Sequence, residues 1–218
     1  MSRENELTLE VYRSFASRYL MNTVTHSAEN AEKAKRKQDM LCELLCSGLA
    51  TLPRQSAVFE IGSGDGVTAS YLKELGFDVT ASDVADTFIE NIRMKQLKVI
   101  HFDVLKDQYP EKYRGIVCWR VFVHFTTEDA KTVLFKTYKA LEKGGRFIFN
   151  ALNRKGHASD AEWLDFQGVY NMGAERYFHY FDEAEMREMI ALAGYQIINF
   201  RHEGGTEGDK WLTFVLEK

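Results

Sequence analysis

Apolar residues recur at Leu7, Val11, Phe15 and Tyr19, a spacing that predicts a helix over about 6–20, and a second helical run covers about 28–49 before Pro53. From Ala57 onward short apolar runs alternate with helical periods near 65–75, 85–95, 127–142 and 182–193. That alternation predicts a doubly wound α/β sheet. Gly144-Gly145 and Gly194 follow helical runs where C-terminal caps belong. The last two apolar runs, about 195–202 and 211–217, read as strands joined by the glycine-rich loop Glu203 to Lys210. A hairpin of this kind forces antiparallel pairing. Residues 151–181 fit neither period and concentrate aromatics and histidine, among them His157, Trp163, Tyr177, Phe178, His179 and Tyr180. They read either as a substrate wall at the carboxyl ends of the strands or as packed edge structure.

Length and charge narrow the function. A chain of 218 residues buries a full core as one domain, with 1–50 as a helical lid, 57–150 as the ligand-binding core, 151–181 as the substrate-wall insertion and 182–218 as the closing helix and hairpin. A formal net charge of −4 offers no general attraction to a polyphosphate backbone, so nucleic acid is disfavoured as the main partner. The charged run Glu29 to Asp39 reads as a solvated helix face, with a binding patch as the alternative. Cys42, Cys46 and Cys118 have neither the number nor the spacing of a disulfide framework or a zinc knuckle, so no metal is expected. Cys42 and Cys46 are expected as buried thiols. They suit a reducing, cytoplasmic setting. No apolar region of signal-peptide type follows Met1, and no stretch approaches membrane-spanning length, so no membrane insertion is expected.

The most specific segment is Val58-Phe-Glu-Ile-Gly-Ser-Gly-Asp-Gly66, an apolar strand running into a glycine-dense elbow. Gly62, Gly64 and Gly66 tolerate positive φ and leave no Cβ in the way of a ligand lying on the backbone. The dinucleotide fingerprint would require its third glycine at position 67, which is Val67, and Asp65 would repel a pyrophosphate at the helix N-terminus. A ligand with a ribose, a base and a positive centre fits better. Glu60 adds negative field beside it, and Asp83 ends the next strand about 20 residues beyond the glycines, the distance of a ribose-gripping carboxylate.

These residues resemble motif I and the acidic strand end of class I S-adenosylmethionine-dependent methyltransferases, and the resemblance runs from about Tyr12 to the C-terminus. Lys98-Val-Ile-His-Phe-Asp103 is similar to the third strand, Gly115 to Phe125 to the fourth strand and substrate-facing turn, and Lys143 to Asn150 to the glycine turn and fifth strand. The resemblance implies a Rossmann-like doubly wound seven-stranded sheet, an antiparallel seventh strand and an N-terminal helical lid. It implies S-adenosyl-L-methionine as cofactor, with Gly62, Ser63 and Gly64 contacting it through backbone. Glu60 would support its amino-acid end, Asp83 with Val84 its ribose, and Asp103 with Val104 its adenine.

Arg120 stands where such proteins use a small or amide residue. It reads as a clamp for a carboxylate of cofactor or acceptor, or as the partner of an acid such as Glu60. His124 occupies the place of a histidine common in small-molecule members, and reads as a catalytic base or as a structural, hydrogen-bonded group. Tyr12 and Tyr19, in Tyr-x-x-Phe-Ala-x-x-Tyr, resemble lid tyrosines that approach the acceptor and the cofactor; the alternative is helix packing. Asn153, Tyr177 and His179 complete the expected acceptor wall. No Asn-Pro-Pro-Tyr or Asp-Pro-Pro-Tyr follows the fourth strand, no Pro-Cys nucleophile is found, and no Asp-Asn pair resembles a magnesium site. The reading is therefore methyl transfer to an O or N nucleophile of a small molecule, by a monomer or homodimer. A tRNA- or protein-directed enzyme, and a non-catalytic cofactor-binding partner subunit, are the alternatives.

Overall fold

The computed structural model describes residues 1–29, 43–165, 173–204 and 210–218. Helix α1 (Arg3–Glu29) precedes a helical stretch at 43–49. The core follows as β1 (Ala57–Ile61), α2 (Val67–Glu74), β2 (Asp78–Asp83), α3 (Asp86–Met94), β3 (Lys98–His101) and β4 (Tyr113–Cys118). A 3₁₀ turn (Phe122–His124) leads into α4 (Thr127–Ala140) and β5 (Leu141–Asn153), then β6 (Ala161–Leu164), β7 (Arg176–Phe181), α5 (Glu183–Leu192), β8 (Gln196–Glu203) and β9 (Trp211–Glu217).

Strands β3, β2, β1, β4 and β5 lie side by side in that order and run parallel. Strand β9 pairs antiparallel with β5, and β8 antiparallel with β9, as the hairpin reading of the C-terminus expected. Chain order reverses between β1 and β4, so their carboxyl ends border a crevice. Apolar side chains fill both faces of the sheet. Phe59, Phe102, Tyr113, Phe147 and Phe149 pack on one side against α4 and α5. Val58, Val117, Ile148 and Val215 pack on the other against Leu72 of α2 and against Leu44, Leu45 and Leu49 of the 43–49 helix.

Three expectations change. Gly144-Gly145 does not cap a helix: α4 stops at Ala140, Leu141 is already extended and pairs with Tyr113, and Gly144 (φ +74°) turns within β5. The cause is tertiary, because β5 gains a pairing partner there and the helix gains none. Cys46 is exposed, on the face of its helix opposite Leu44 and Leu45, with Sγ 3.2 Å from the Tyr71 hydroxyl. Cys42 and most of the charged run 29–39 lie outside the described residues. The third change concerns 151–181, which contains a β-hairpin: β6 pairs antiparallel with β7, and β7 joins the end of β5 through Leu152↔Tyr180 and Asn153↔Phe181. Strand β4 has ended at Cys118, opposite Phe149, so β7 takes up the position β4 vacates and stands over the crevice. Among the described residues no helix is long and apolar enough to cross a membrane, and no histidine, cysteine or carboxylate cluster could hold a metal ion.

Candidate active site

The glycine elbow leaves β1 with three left-handed residues, Gly62, Gly64 and Gly66 (φ +65°, +52° and +78°). Their neighbours differ. A Cβ on Gly62 would lie 2.5 Å from Val121 Cγ2, so this glycine lets the elbow pack against the turn after β4. A Cβ on Gly64 would meet nothing within 4 Å, as expected of backbone that a ligand lies upon. Ser63 fastens the elbow to β2: its N–H donates to the Ser82 carbonyl (2.8 Å) and its Oγ accepts from Ser82 N–H (3.1 Å).

Three carboxylates stand at the ends of successive strands, and all are buried. Asp83 Oδ2 accepts from Gly64 N–H (2.9 Å), and Oδ1 accepts from Val84 N–H (2.8 Å) and Ala85 N–H (3.1 Å). Asp83 thus binds the elbow to the start of α3 as well as facing the crevice. Burial raises its pKa, and those three backbone bonds oppose the rise. Asp103 Oδ1 accepts from Leu105 N–H (3.0 Å), while Oδ2 is buried without a hydrogen-bond partner, beside buried Val104. Glu60 Oε2 is likewise buried and unpartnered. Burial lifts the Glu60 carboxyl to about 7, partly offset by the hydroxyls of Ser63 and Thr68.

Two orphaned acceptors and an open glycine backbone are what a cationic adenosyl ligand would satisfy. An amino donor suits Asp103 Oδ2, a positive amino-acid end suits Glu60, and ribose hydroxyls suit Asp83, whose carboxylate has sites for about four donors and uses three. We expect Asp83→Ala to weaken S-adenosylhomocysteine binding at least tenfold and to lower stability by about 1–3 kcal/mol, since three backbone donors lose their acceptor. Calorimetry and thermal melting measure the two losses. Unchanged affinity would remove Asp83 from the site.

Helix α1 crosses the opening as more than a cover. Asn5 Nδ2 donates to the His124 carbonyl (3.2 Å), Thr8 Oγ1 accepts from Tyr177 N–H (3.0 Å), and Tyr12 Oη lies 2.9 Å from His124 Nε2. One helix face then continues through Ala16 to Tyr19, whose ring meets Phe88 of α3 edge-on at 5.6 Å, close to Ala85. The same face therefore runs from the turn after β4 to the strand end that carries Asp83.

His124 is 5% exposed. Its Nδ1 lies 2.7 Å from the Tyr177 carbonyl oxygen, which only accepts, so Nδ1 carries the proton and Nε2 offers a lone pair to the Tyr12 hydroxyl. Burial pulls its pKa down to about 4, with nearby Arg176 also disfavouring the cation. The imidazole therefore stays neutral through the physiological range.

Arg176 was not legible as a site residue. It is 2% exposed, donates from Nη1 to Tyr12 Oη (3.3 Å), and lies over the rings of Tyr12 (5.5 Å) and Phe178 (5.6 Å). Strand alternation puts Arg176, Phe178 and Tyr180 on the face toward His124 and turns Tyr177 and His179 away. Those two form a separate chain, Tyr177 Oη to His179 Nδ1 (2.9 Å), His179 Nε2 to Thr127 Oγ1 (3.3 Å) and Thr127 to Glu185 (3.1 Å). Tyr177 contributes its backbone to the site. Asn153 lines a cleft with Arg154, Asp182 and His202. Arg120 does hold a strained left-handed conformation (φ +59°), with its N–H on Asn150 Oδ1 (2.7 Å) and its guanidinium 5.8 Å over Trp211.

A family model described as a methyltransferase domain matches residues 30–199. The chain belongs to that family, and its fold is that of solved S-adenosylmethionine-dependent methyltransferases. It is 29% identical over 105 residues to the ubiquinone biosynthesis O-methyltransferase of Idiomarina loihiensis, covering 44% of this chain and 42% of that protein. It is also 29% identical over 93 residues to an rRNA adenine N-6-methyltransferase of Escherichia coli, covering 40% and 38%. The chain thus spans less than half the length of these curated relatives. The solved magnesium protoporphyrin IX methyltransferase of Synechocystis PCC 6803, with bound cofactor, shares the fold at a TM-score of 0.71 and 15% identity over 100% of this chain and 98% of that one.

Proposed function

We propose that this protein transfers a methyl group from S-adenosylmethionine to a hydroxyl or amine of a small molecule, with Tyr12 and His124 taking the displaced proton. The observation that carries the reading is the 2.9 Å contact between Tyr12 Oη and His124 Nε2 at the turn after β4. When bound, the cofactor supplies a methyl already activated on a sulfonium, so a nucleophile–carbon bond forms as the carbon–sulfur bond breaks and its electron pair stays on sulfur. The protein's own work is alignment, exclusion of water and removal of a proton. Tyr12 Oη accepts the proton of the nucleophile as its own passes to His124 Nε2, while the Tyr177 carbonyl holds the imidazole in the required tautomer and Arg176 fixes the phenol. Asn5 and Thr8 tie α1 to the same turn and β-strand, which keeps the dyad in register.

Relatives matched by this chain include enzymes named for small-molecule and for rRNA acceptors, so the site itself must choose. A buried His124 covered by Tyr12 of α1 and a net charge of −4 favour a small acceptor over a nucleic acid strand. S-adenosylmethionine or S-adenosylhomocysteine at a hundredfold excess over Kd should stabilise the protein by about 2.7 kcal/mol, a Tm rise of roughly 5–10 °C, and NAD should not. Transfer of labelled methyl into fractions of a cell extract, followed by mass identification, then tests the acceptor class. Label appearing only in RNA or protein would overturn the small-molecule reading.

A further inference from the structure

Of the three strand-end carboxylates, Asp103 follows the outermost strand, since β3 pairs with β2 alone among the described residues. A neighbouring strand therefore steadies it on one side only, and the turn that follows must supply the rest. Asp107 does so. Its Oδ2 accepts from Asp103 N–H (2.7 Å), and its own N–H donates to the Asp103 carbonyl (2.8 Å), which also accepts from Lys106 N–H (3.0 Å). With Oδ1 accepting from Leu105 N–H (3.0 Å), every polar atom of Asp103 is used inside the turn except Oδ2, on a residue only 6% exposed. The turn is also held from outside. Lys136 Nζ of α4 donates to the Asp107 carbonyl (2.5 Å), and the flanking rings of Phe102 and Tyr109 meet at 4.9 Å and both pack on Phe59 (5.0 and 5.1 Å).

We propose that Asp107 is a positioning residue that makes the cofactor site selective for an adenine base, by holding Asp103 so that Oδ2 alone is left to accept from the exocyclic amino group. The inference rests on the methyl-transfer reading and on the adenine role given to Asp103, and extends both to a residue that touches no ligand. A group that discriminates between ligands must be unable to move away from the wrong one, and its supporting bonds supply that rigidity. With its N–H, carbonyl and Oδ1 all occupied, Asp103 cannot turn without breaking a bond. A base that brings a carbonyl in place of the amino group then sets two acceptors against each other and leaves a buried oxygen unpaired. A loosely held carboxylate would swing toward water and tolerate either base. What position 107 must provide is an acceptor rather than a charge, because its partner is an uncharged N–H.

The test titrates the full chain with S-adenosylhomocysteine and with S-inosylhomocysteine, in which a carbonyl replaces the amino group, followed by calorimetry. Wild type should prefer the adenine ligand at least about tenfold. Asp107→Ala should shrink that preference at least about threefold, whereas Asp107→Asn, whose amide oxygen still accepts, should keep it within about twofold. A turn that is merely structural would lower Tm and weaken both ligands alike, so a folded Asp107→Ala with the wild-type preference overturns the proposal. Asp107→Asn losing as much preference as Asp107→Ala overturns it too, as does a wild type that binds both ligands equally. Should Asp107→Ala not fold, Lys136→Met decides: loss of the donor to the Asp107 carbonyl should shrink the preference at least about twofold, and an unchanged preference overturns the proposal. Failure of the wild-type chain to bind S-adenosylhomocysteine would instead sink the methyl-transfer reading, so the two failures are distinguishable.

Discussion

Glu60→Gln should make the ligand-free protein more stable at pH 8 and at the same time weaken cofactor binding at least tenfold. The carboxyl is buried, and burial raises its pKa from 4.5 to about 7. A carboxyl protonated more readily in the folded than in the unfolded chain contributes stability at low pH that is lost as pH rises from about 4.5 to about 7. Above pH 7 the ionised group is a net cost on the order of 3 kcal/mol. Glutamine is neutral throughout, so its advantage over wild type should grow across that window and then level off, at roughly 6–12 °C in Tm. His124 works in the opposite direction. With its pKa pulled from 6.5 to about 4, it contributes stability that is present above pH 6.5 and lost as pH falls toward 4. The two slopes largely cancel in the wild type, and Glu60→Gln should expose the rising limb of His124. In wild type the cationic cofactor should bind more tightly, with proton release, as pH rises from 6 to 8, and the variant should lose this dependence. A variant that is less stable than wild type at pH 8 would remove Glu60 as a strained, cofactor-facing acid.

Tyr12→Phe and His124→Gln should each lower turnover by about 10² or more at saturating cofactor, because either change interrupts the same proton transfer. The double variant should be little worse than either single one, as befits groups acting as a unit. S-adenosylhomocysteine affinity should barely change. His124→Gln should also cost about 1–3 kcal/mol of stability, since the Tyr177 carbonyl loses its buried donor, so turnover is compared per folded molecule. Tyr12→Phe keeps the ring against Phe88 and discriminates better between chemistry and packing. No limb near pH 6.5 should arise from His124, which is already neutral there. A limb at that pH that disappears in His124→Gln would show an accessible, titrating histidine. Independent losses that multiply in the double variant would separate the two residues.

The alternation of apolar runs from Ala57 onward and the elbow Gly62-Ser-Gly-Asp-Gly66 determined the sheet, its parallel core and the proposed cofactor half of the site by themselves. Local rules suffice there: period and length set each element, positive φ demands glycine, and successive strand ends bring Glu60, Asp83 and Asp103 to one edge whatever the details of packing. The C-terminal hairpin was legible for the same reason, since Glu203 to Lys210 leaves no room for a crossover.

The proposed acceptor half was decided by contacts between residues far apart in the chain. Tyr12 and His124 are separated by 112 positions, Arg176 and Tyr12 by 164, and no spacing rule links either pair. Residues 151–181 show a run of aromatics whose roles depend on which face of β7 each occupies, and register is set by pairing with β5 at Leu152 and Asn153. A shift of one residue would have brought Tyr177 and His179 to the dyad and turned Arg176 away. The neutral state of His124 and the raised pKa of Glu60 likewise arise from burial, a property of the assembled fold. Sequence therefore determined the glycine elbow and the three strand-end carboxylates, and tertiary structure alone decided that Tyr12, His124 and Arg176 meet, because contacts across 112 and 164 positions follow no local rule.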